Sequence, residues 1–277
     1  MLHEAMSRGT VGAKLLGLHM EGPYISPRRT GAQDPACVRE PSLEEIQQVQ
    51  DEARGAFRMI TLAPEVDEGL EVSKSLGRDG VVLSAGHTDA TYDEMEAAVE
   101  AGFSRVTHLF NAMRPFQQRD PGIVGAALTD SRLTAEVIAD GLHLHPAALR
   151  LAAAAKGSDK TSICSDSIPP AGLPDGEHLF GGQSVYLRGG RCLLRSGGLA
   201  GGTIRLNEAV ANMVRRAGVP LAEAVEMATS TPARVAGFAD SKGSLGRGMD
   251  ADLTVLDRDF RVLLTMVEGE IVYVRGV

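Results

Sequence analysis

The sequence predicts an α/β protein in which a parallel sheet is covered by helices. Short apolar runs alternate with helical segments from residue 14 to residue 166, and the connections are long enough to cross over between parallel strands. The chain has 277 residues, of which 43% are hydrophobic, so it can bury one large core. An α/β barrel of this size is commonly a single domain.

Six strands and the helices between them follow from local patterns. Ser42 with Glu45, and Thr91 with Glu94, have the spacing of capping boxes, so we expect a helix to begin at each pair. Pro146 is suited to the first turn of another helix. The apolar runs predicted to be strands are 14–20, 57–64, 81–87, 104–110, 134–140 and 160–166.

The rest of the chain departs from this alternation. Residues 184–195 predict a β-hairpin outside the parallel series, because Gly189 and Gly190 supply the positive φ values of a tight turn. Residues 202–218 and 220–237 have helical patterns. A small antiparallel sheet is predicted from three alternating runs, at 251–257, 261–269 and 270–276.

Composition excludes several classes of function. The chain has 28 Lys and Arg against 36 Asp and Glu, a net charge of −8, which argues against binding nucleic acid or an anionic membrane. Cys37, Cys164 and Cys192 form no C-x-x-C pair, so neither a disulfide framework nor a thiolate zinc site is indicated. No apolar stretch reaches membrane-spanning length and the N-terminus lacks a secretion signal, so we expect a cytoplasmic protein.

Polar residues that can titrate or bind metal follow one apolar strand after another. They are Glu21, His87, His108, His143 and Asp166. In a parallel α/β barrel the strand ends lie on one face, where active sites are built, so five separate segments are expected to converge on one pocket.

Two kinds of chemistry fit these residues. Glu21, His87 and His108 can supply three ligands to zinc or another first-row divalent ion. A bound ion can lower the pKa of its water to about 7, and Asp166 could then transfer the proton. Taken singly, a histidine at a strand end is more often a hydrogen-bonded structural residue than a ligand, and the recurrence at strand ends is what favours a site.

Two further segments have residues suited to a polar ligand. Asn111 has a bidentate amide, and Arg119 has a guanidinium group suited to phosphate or carboxylate. An exposed surface position explains Arg119 well, because exposed arginines are common. The glycine-rich residues 197–202 offer backbone N–H groups, but they lack the pattern of a nucleotide-binding loop.

Seven segments, taken in order, resemble the N-acetylglucosamine-6-phosphate deacetylases, which are metal-dependent amidohydrolases. The resemblance runs almost from end to end and is specific because the motifs keep their order. The segments are "GLHMEGPYISPRRTGAQDP", "SAGHTDATYDE", "THLFNAMRPFQQRDPGIVGAAL", "VIADGLHLHP", "CSDSIPPAGLPDGE", "LAGGTIRLNEAV" and "ATSTPARVAG" with "GMDADLTVLD".

The resemblance implies a TIM-like (β/α) barrel with a small β-sandwich. Residues 1–240 would form the barrel, with 184–195 as a hairpin insertion, and 241–277 the C-terminal part of the sandwich. Such a barrel has eight strands. The six predicted here would leave its first two strands absent, so we expect the chain to be N-terminally truncated and its open strand edges to be exposed.

The resemblance also implies an activity and the roles of individual residues. The reaction removes acetate from the sugar phosphate. Glu21, His87 and His108 would bind one or two divalent ions, zinc or a first-row ion such as iron, and Asp166 would act as general base and then general acid. The residues implied in substrate binding are Ala32, Gln33, Asn111, Ala112, Arg119, His143, Leu199, Ala200 and Gly201.

Within that set, two residues have particular expectations. Arg119 would bind phosphate, across the interface of a homodimer when the protein is full length. Gln33 stands where many members have histidine, and glutamine can donate a hydrogen bond but cannot titrate. The sugar phosphate is the expected partner, with no nucleic acid or membrane.

Two other readings of the sequence stay open. The chain could be another amidohydrolase, such as an N-acyl amino acid or cyclic amide hydrolase. It could also be a non-catalytic remnant that binds metal or a sugar phosphate without turnover.

Overall fold

A parallel sheet of six strands organises the structure, a computed structural model that describes residues 2–276. The strands lie side by side in chain order, and each is parallel to its neighbours. Among the described residues β1 and β6 do not pair with each other, so the sheet is an open half-barrel. The strands are β1 (Leu18–Glu21), β2 (Phe57–Leu62), β3 (Val82–Ala85), β4 (Phe103–Val106), β5 (Thr134–Ile138) and β6 (Thr161–Cys164).

Helices connect consecutive strands, and two of them begin at the predicted capping residues Ser42 and Thr91. Ser42 accepts a hydrogen bond from the Glu45 amide, and Thr91 and Glu94 complete a capping box. Each crossover returns the chain to the same end of the sheet, so the strand ends meet on one side. The helices up to β6 are α1 (Leu2–Arg8), α2 (Leu43–Ala53), α3 (Glu71–Arg78), α4 (Tyr92–Glu100), α5 (Gly122–Thr129) and α6 (Pro146–Lys156).

The two faces of the parallel sheet differ in polarity. Ile60, Leu83, Val106 and Val137 belong to one buried apolar cluster together with residues of the helices. Residues of opposite parity point to the other face, because side chains alternate along a strand. This inner face has buried polar side chains: Thr61, Ser84, Arg105, Thr107, Thr134, Glu136 and Ser162.

Hydrogen bonds within the inner face satisfy many of these groups. The Thr107 hydroxyl lies 2.7 Å from that of Thr61 and 2.6 Å from that of Ser84. Arg105 and Glu136 form a buried ion pair. A paired network of this kind offsets the cost of burying polar groups.

A second, antiparallel sheet follows the half-barrel. It contains β7 (Gly176–Phe180), β8 (Gln183–Arg188) and β9 (Arg191–Leu194). The predicted hairpin and its turn are present, with φ values of 55° at Gly189 and 74° at Gly190. The first strand was not predicted, because the short polar run "GEHLF" has no clear alternation.

The C-terminal region has interrupted helices and a third sheet. The predicted helix at 220–237 is broken at Thr229, whose φ and ψ of −130° and −86° are not helical. The elements are α7 (Leu206–Asn212), a π-helical turn (Met213–Ala217), α8 (Leu221–Ala228), α9 (Ser230–Val235), and the antiparallel strands β10 (Leu253–Leu256), β11 (Val262–Val267) and β12 (Glu270–Val274). The division at 240/241, the two absent strands and the sandwich remain predictions. Over residues 2–276, no helix combines the length and apolar character needed to cross a membrane.

We expect Leu83→Ala to lower the free energy of unfolding by about 2–5 kcal/mol, because it leaves a cavity between the sheet and its helices. Leu83 is 1% exposed, whereas Leu151 in α6 is 52% exposed. Leu151→Ala, the control, should change stability by less than about 0.5 kcal/mol. Denaturant unfolding measures both, and equal effects would contradict this description of the core.

Candidate metal centre

Three potential metal ligands meet at the carboxyl end of the sheet. Glu21 is the last residue of β1, while His87 and His108 each lie two residues beyond the ends of β3 and β4. The register brings these ends together, since Leu62 pairs with Ala85 and Ala85 with Val106. The strand order therefore determines that these side chains share one edge.

A repeated backbone turn aims the residues that follow the strands. His87, His108 and Asp166 have φ values of 49°, 30° and 48°. Positive φ is uncommon for residues other than glycine, and such strained positions cluster at functional sites. Asp166 also lies two residues beyond its strand, β6. The same turn thus redirects three side chains towards one place.

The three ligand atoms are close enough to share one ion. Glu21 Oε1 lies 2.9 Å from His87 Nε2 and 3.6 Å from His108 Nε2, and the two imidazole nitrogens are 3.0 Å apart. Two ligands of a tetrahedral zinc ion, each bound at about 2.0–2.1 Å, are about 3.3 Å apart. The donor set and its spacing therefore fit zinc or another first-row divalent ion.

A main-chain contact defines which nitrogen of His87 can bind metal. His87 Nδ1 lies 2.9 Å from the carbonyl oxygen of Arg29. A carbonyl oxygen can only accept, so Nδ1 donates, and in the neutral imidazole the lone pair is left on Nε2. Nε2 is the atom that faces Glu21, as metal binding requires.

Electrostatics keep Glu21 in its ligand form. Burial raises the pKa of the Glu21 carboxyl, but the contacts with His108 and His87 outweigh it and hold that pKa well below its usual range. Burial lowers the pKa of His108, and the nearby Glu21 carboxylate more than compensates, so the net pKa is raised. Glu21 is therefore ionised when the site forms.

Asp166 has the opposite environment to that of Glu21. Burial raises the pKa of the Asp166 carboxyl above its usual value; the charge of Glu21 adds to this effect, and His108 opposes it. A carboxylate with increased proton affinity is suited to accepting and returning a proton.

One cavity of about 630 Å³ contains nearly all of the residues singled out in the sequence. The exception is Arg119, which is exposed and does not line it. The predicted residues that line the cavity are Glu21, Ala32, Gln33, His87, His108, Asn111, Ala112, His143, Asp166, Leu199, Ala200 and Gly201.

Two features of the cavity and its surroundings were not predicted. The Asp140 carboxylate lies 2.7 Å from His143 Nδ1 and also accepts the amide hydrogens of Leu142 and His143. The Asp140–His143 contact could have been predicted from the spacing in "DGLH", because a carboxylate three residues before a histidine can orient the imidazole. Phe180 and Gly181, at the turn between β7 and β8, also line the cavity, and no local pattern indicated them.

A glycine in the loop after β1 lies against the metal site. Gly31 has a φ of +57°, and a Cβ atom there would lie 2.9 Å from Cε1 of His87. The close approach of this loop to the imidazole therefore requires glycine.

Comparison with known proteins agrees with this geometry. Residues 4–272 match the Amidohydrolase family. The chain belongs to this family. The match spans the half-barrel and most of the C-terminal sheet, so the metal centre and the cavity lie within the region that defines the amidohydrolases.

Individual relatives are more specific. The chain is 41% identical over 264 residues to N-acetylglucosamine-6-phosphate deacetylase of Bacillus subtilis, covering 95% of this chain and 67% of the relative. It is 38% identical to N-acetylgalactosamine-6-phosphate deacetylase of Escherichia coli O157:H7, covering 95% of this chain and 70% of the relative. The crystal structure of N-acetylglucosamine-6-phosphate deacetylase from Pasteurella multocida superposes with a TM-score of 0.90 at 36% identity, covering 98% and 70% of the two chains.

We expect Glu21→Gln and His108→Asn each to weaken Zn²⁺ binding by more than about 100-fold, beyond the loss typical of an outer-shell residue. Competition with a chromogenic chelator measures the affinity. The control is His145→Asn, since His145 is an exposed helix cap that asparagine can replace. Unchanged affinity in either ligand variant would contradict the assignment.

Proposed function

We propose that this amidohydrolase removes the acetyl group of N-acetylglucosamine 6-phosphate, releasing acetate and glucosamine 6-phosphate. The observation that carries the proposal is the meeting of Glu21, His87, His108 and Asp166 in one cavity. Its support from comparison is the similarity of almost the whole chain to deacetylases of this name.

The metal requirement follows from the donor set. Glu21, His87 and His108 would hold the ion, and zinc or iron suits two imidazoles and a carboxylate. A divalent ion held there supplies a Lewis acid and lowers the pKa of water, which makes a nucleophile available near neutral pH.

Asp166 moves the protons in the proposed reaction. Its carboxylate accepts a proton from the water that attacks the acetamide carbonyl carbon. The same carboxyl then donates that proton to the amide nitrogen as the carbon–nitrogen bond breaks, so the amine leaves neutral. The second proton of the water stays on the acetic acid formed, which loses it to solvent to give acetate. The raised pKa of Asp166 suits this double role, because a very weak base could not hold the proton between the two steps.

In the proposed reaction, His143 acts on the carbonyl oxygen of the acetamide. Burial raises the pKa of Asp140, but hydrogen bonds from His143 and from the backbone outweigh it, so the pKa is lowered and the carboxylate stays charged. This carboxylate holds His143 Nδ1–H and leaves Nε2 directed elsewhere. In our proposal His143 orients the acetamide and helps to stabilise the developing oxyanion.

The remaining wall of the cavity would bind the sugar phosphate. Asn111 and the Ala112 backbone, Ala32 with Gln33, and the loop Leu199-Ala200-Gly201 would contact the sugar. Arg119 would bind phosphate. Because Arg119 is exposed and outside its own cavity, we propose that it reaches the cavity of a second copy in a homodimer.

Two related substrates have to be distinguished. One relative carries the name of the galactosamine enzyme, at an identity only slightly below that of the glucosamine enzyme. The two sugars are epimers, so the sugar-contacting wall would decide between them. We propose the glucosamine epimer, because it is named for more of the similar proteins.

The free cysteines suit the reducing cytoplasm, which we propose as the location.

Acetate release from N-acetylglucosamine 6-phosphate by the metal-loaded protein tests the function. Asp166→Asn should lower kcat by about 10³-fold, within the range of general acid–base catalysis, because the amide cannot accept the proton. Metal content should not change. Asp240→Asn, at an exposed aspartate, is the control.

Other outcomes would replace the proposal. A higher kcat/KM for N-acetylgalactosamine 6-phosphate would assign the other epimer. Faster hydrolysis of an N-acyl amino acid or a cyclic amide would place the chain elsewhere among the amidohydrolases. Metal binding without turnover of any of these compounds would favour a non-catalytic binding protein.

A further inference from the structure

The carboxylate of Asp89 forms ion pairs with three arginines at the edge of the metal centre. Arg29 approaches most closely, with Nε at 2.7 Å and a terminal nitrogen at 2.6 Å. Arg28 and Arg114 lie at 3.3 Å and 3.5 Å. The Asp89 side chain is only 12% exposed, so its carboxylate is largely shielded from solvent. Shielded charges interact more strongly than those of an ordinary surface pair.

The partners of Asp89 come from different loops around the cavity. Arg28 and Arg29 belong to the loop after β1, Asp89 to the loop after β3, and Arg114 to the loop after β4. The first of these loops contributes Gly31 to Gln33 to the cavity, and the last contributes Asn111 and Ala112. One carboxylate therefore connects three loops that together form much of the cavity wall.

Arg29 joins this carboxylate to a metal ligand. Its guanidinium group binds Asp89, while its own carbonyl oxygen accepts the hydrogen bond from His87 Nδ1. Asp89 lies two residues after His87 along the chain. The contacts thus close a ring, from the His87 imidazole through Arg29 to Asp89 and back to His87 through the backbone.

Other contacts hold the ring in place. The Glu65 carboxylate accepts the Asp89 amide hydrogen at 2.5 Å and also binds the Thr88 hydroxyl. The Arg114 amide donates to the Thr88 carbonyl at 2.9 Å, and its side chain binds Asp120. The backbone of Asp89 is therefore held by Glu65, and its carboxylate is left to bind the arginines.

We propose that Asp89 is a positioning residue that holds His87 Nε2 towards Glu21 and His108 and fixes the cavity wall. It does so through two separable ion pairs. The Asp89–Arg29 pair, called the Arg29 arm below, orients the imidazole. The Asp89–Arg114 pair, called the Arg114 arm, holds the loop that contains Asn111. The exposed Arg28, with 78% of its side chain accessible, adds little.

Metal affinity tests the Arg29 arm without reference to any reaction. We expect Asp89→Asn and Arg29→Met each to weaken Co²⁺ and Zn²⁺ binding by about tenfold, the lower end of the effect of outer-shell partners. Visible absorption of the Co²⁺-loaded protein reports both the affinity and the geometry at the ion. Unchanged affinity and spectrum in both variants would overturn the proposal.

A matched control separates positioning from general stability. Asp130 is also an arginine-paired aspartate, with Arg132 at 2.7 Å and 14% of the Asp130 side chain exposed, but it lies outside the cavity. Asp130→Asn should alter metal affinity less than twofold. If it weakens metal binding as much as Asp89→Asn, the effect is general destabilisation and the proposal fails.

Two further comparisons use the pair itself. The double variant Asp89→Asn/Arg29→Met should bind metal no more weakly than either single variant, because both break the same link. Arg29→Lys, which retains a charge, should recover part of the affinity. Losses of metal affinity that add up in the double variant would contradict the ring of contacts. If Asp89→Asn folds poorly, Arg29→Met still tests the link, because it leaves Asp89 and its other partners in place.

The Arg114 arm rests on the proposed function. Arg114→Met should raise KM for N-acetylglucosamine 6-phosphate by about tenfold with little change in kcat or metal affinity, because it loosens only the substrate wall. A fall in kcat and metal affinity with unchanged KM would overturn this arm. Absence of acetate release from the unsubstituted protein would instead refute the proposed function, while the metal titrations would still decide the Arg29 arm.

Discussion

The convergence of Glu21, His87 and His108 on one point is the constraint on which the rest of this structure depends. Each side chain belongs to a different strand end, so the three meet only if the parallel register is kept across β1 to β4. Pairing the Glu21 carboxylate with two imidazoles lowers the cost of burying polar groups at the sheet edge. The same pairing creates a metal-binding donor set, so stability and chemistry share one arrangement.

The surroundings of the metal centre give two carboxyl groups opposite pKa shifts and therefore different roles. Glu21 and Asp166 line the same cavity, yet contact with the imidazoles lowers the pKa of the first carboxyl and burial raises that of the second. One is thereby suited to bind a cation and the other to transfer protons. Hydrogen bonds at Nδ1 then orient the two imidazole rings. The Arg29 carbonyl accepts from His87, and the Asp140 carboxylate accepts from His143.

Much of this organisation is local enough to be predicted from sequence. The helix caps at Ser42 and Thr91 and the polar residues after successive strands have short-range signatures. Parallel topology brings those polar residues together in one site. Other features have no local signature. Helix α5 is buried on nearly every side, so it lacks the amphipathic period that identifies a helix. The contacts of Asp89 with Arg29 join residues that lie 60 positions apart, and only the fold brings them together.

In the metal centre inferred here, two imidazoles and one carboxylate from this chain hold the ion. X-ray absorption at the zinc edge of the zinc-loaded protein tests it most directly, because the scattering of imidazole rings differs from that of sulfur. We expect two imidazole ligands, with oxygen atoms completing the shell and no sulfur. A sulfur ligand, or fewer than two imidazoles, would contradict this assignment.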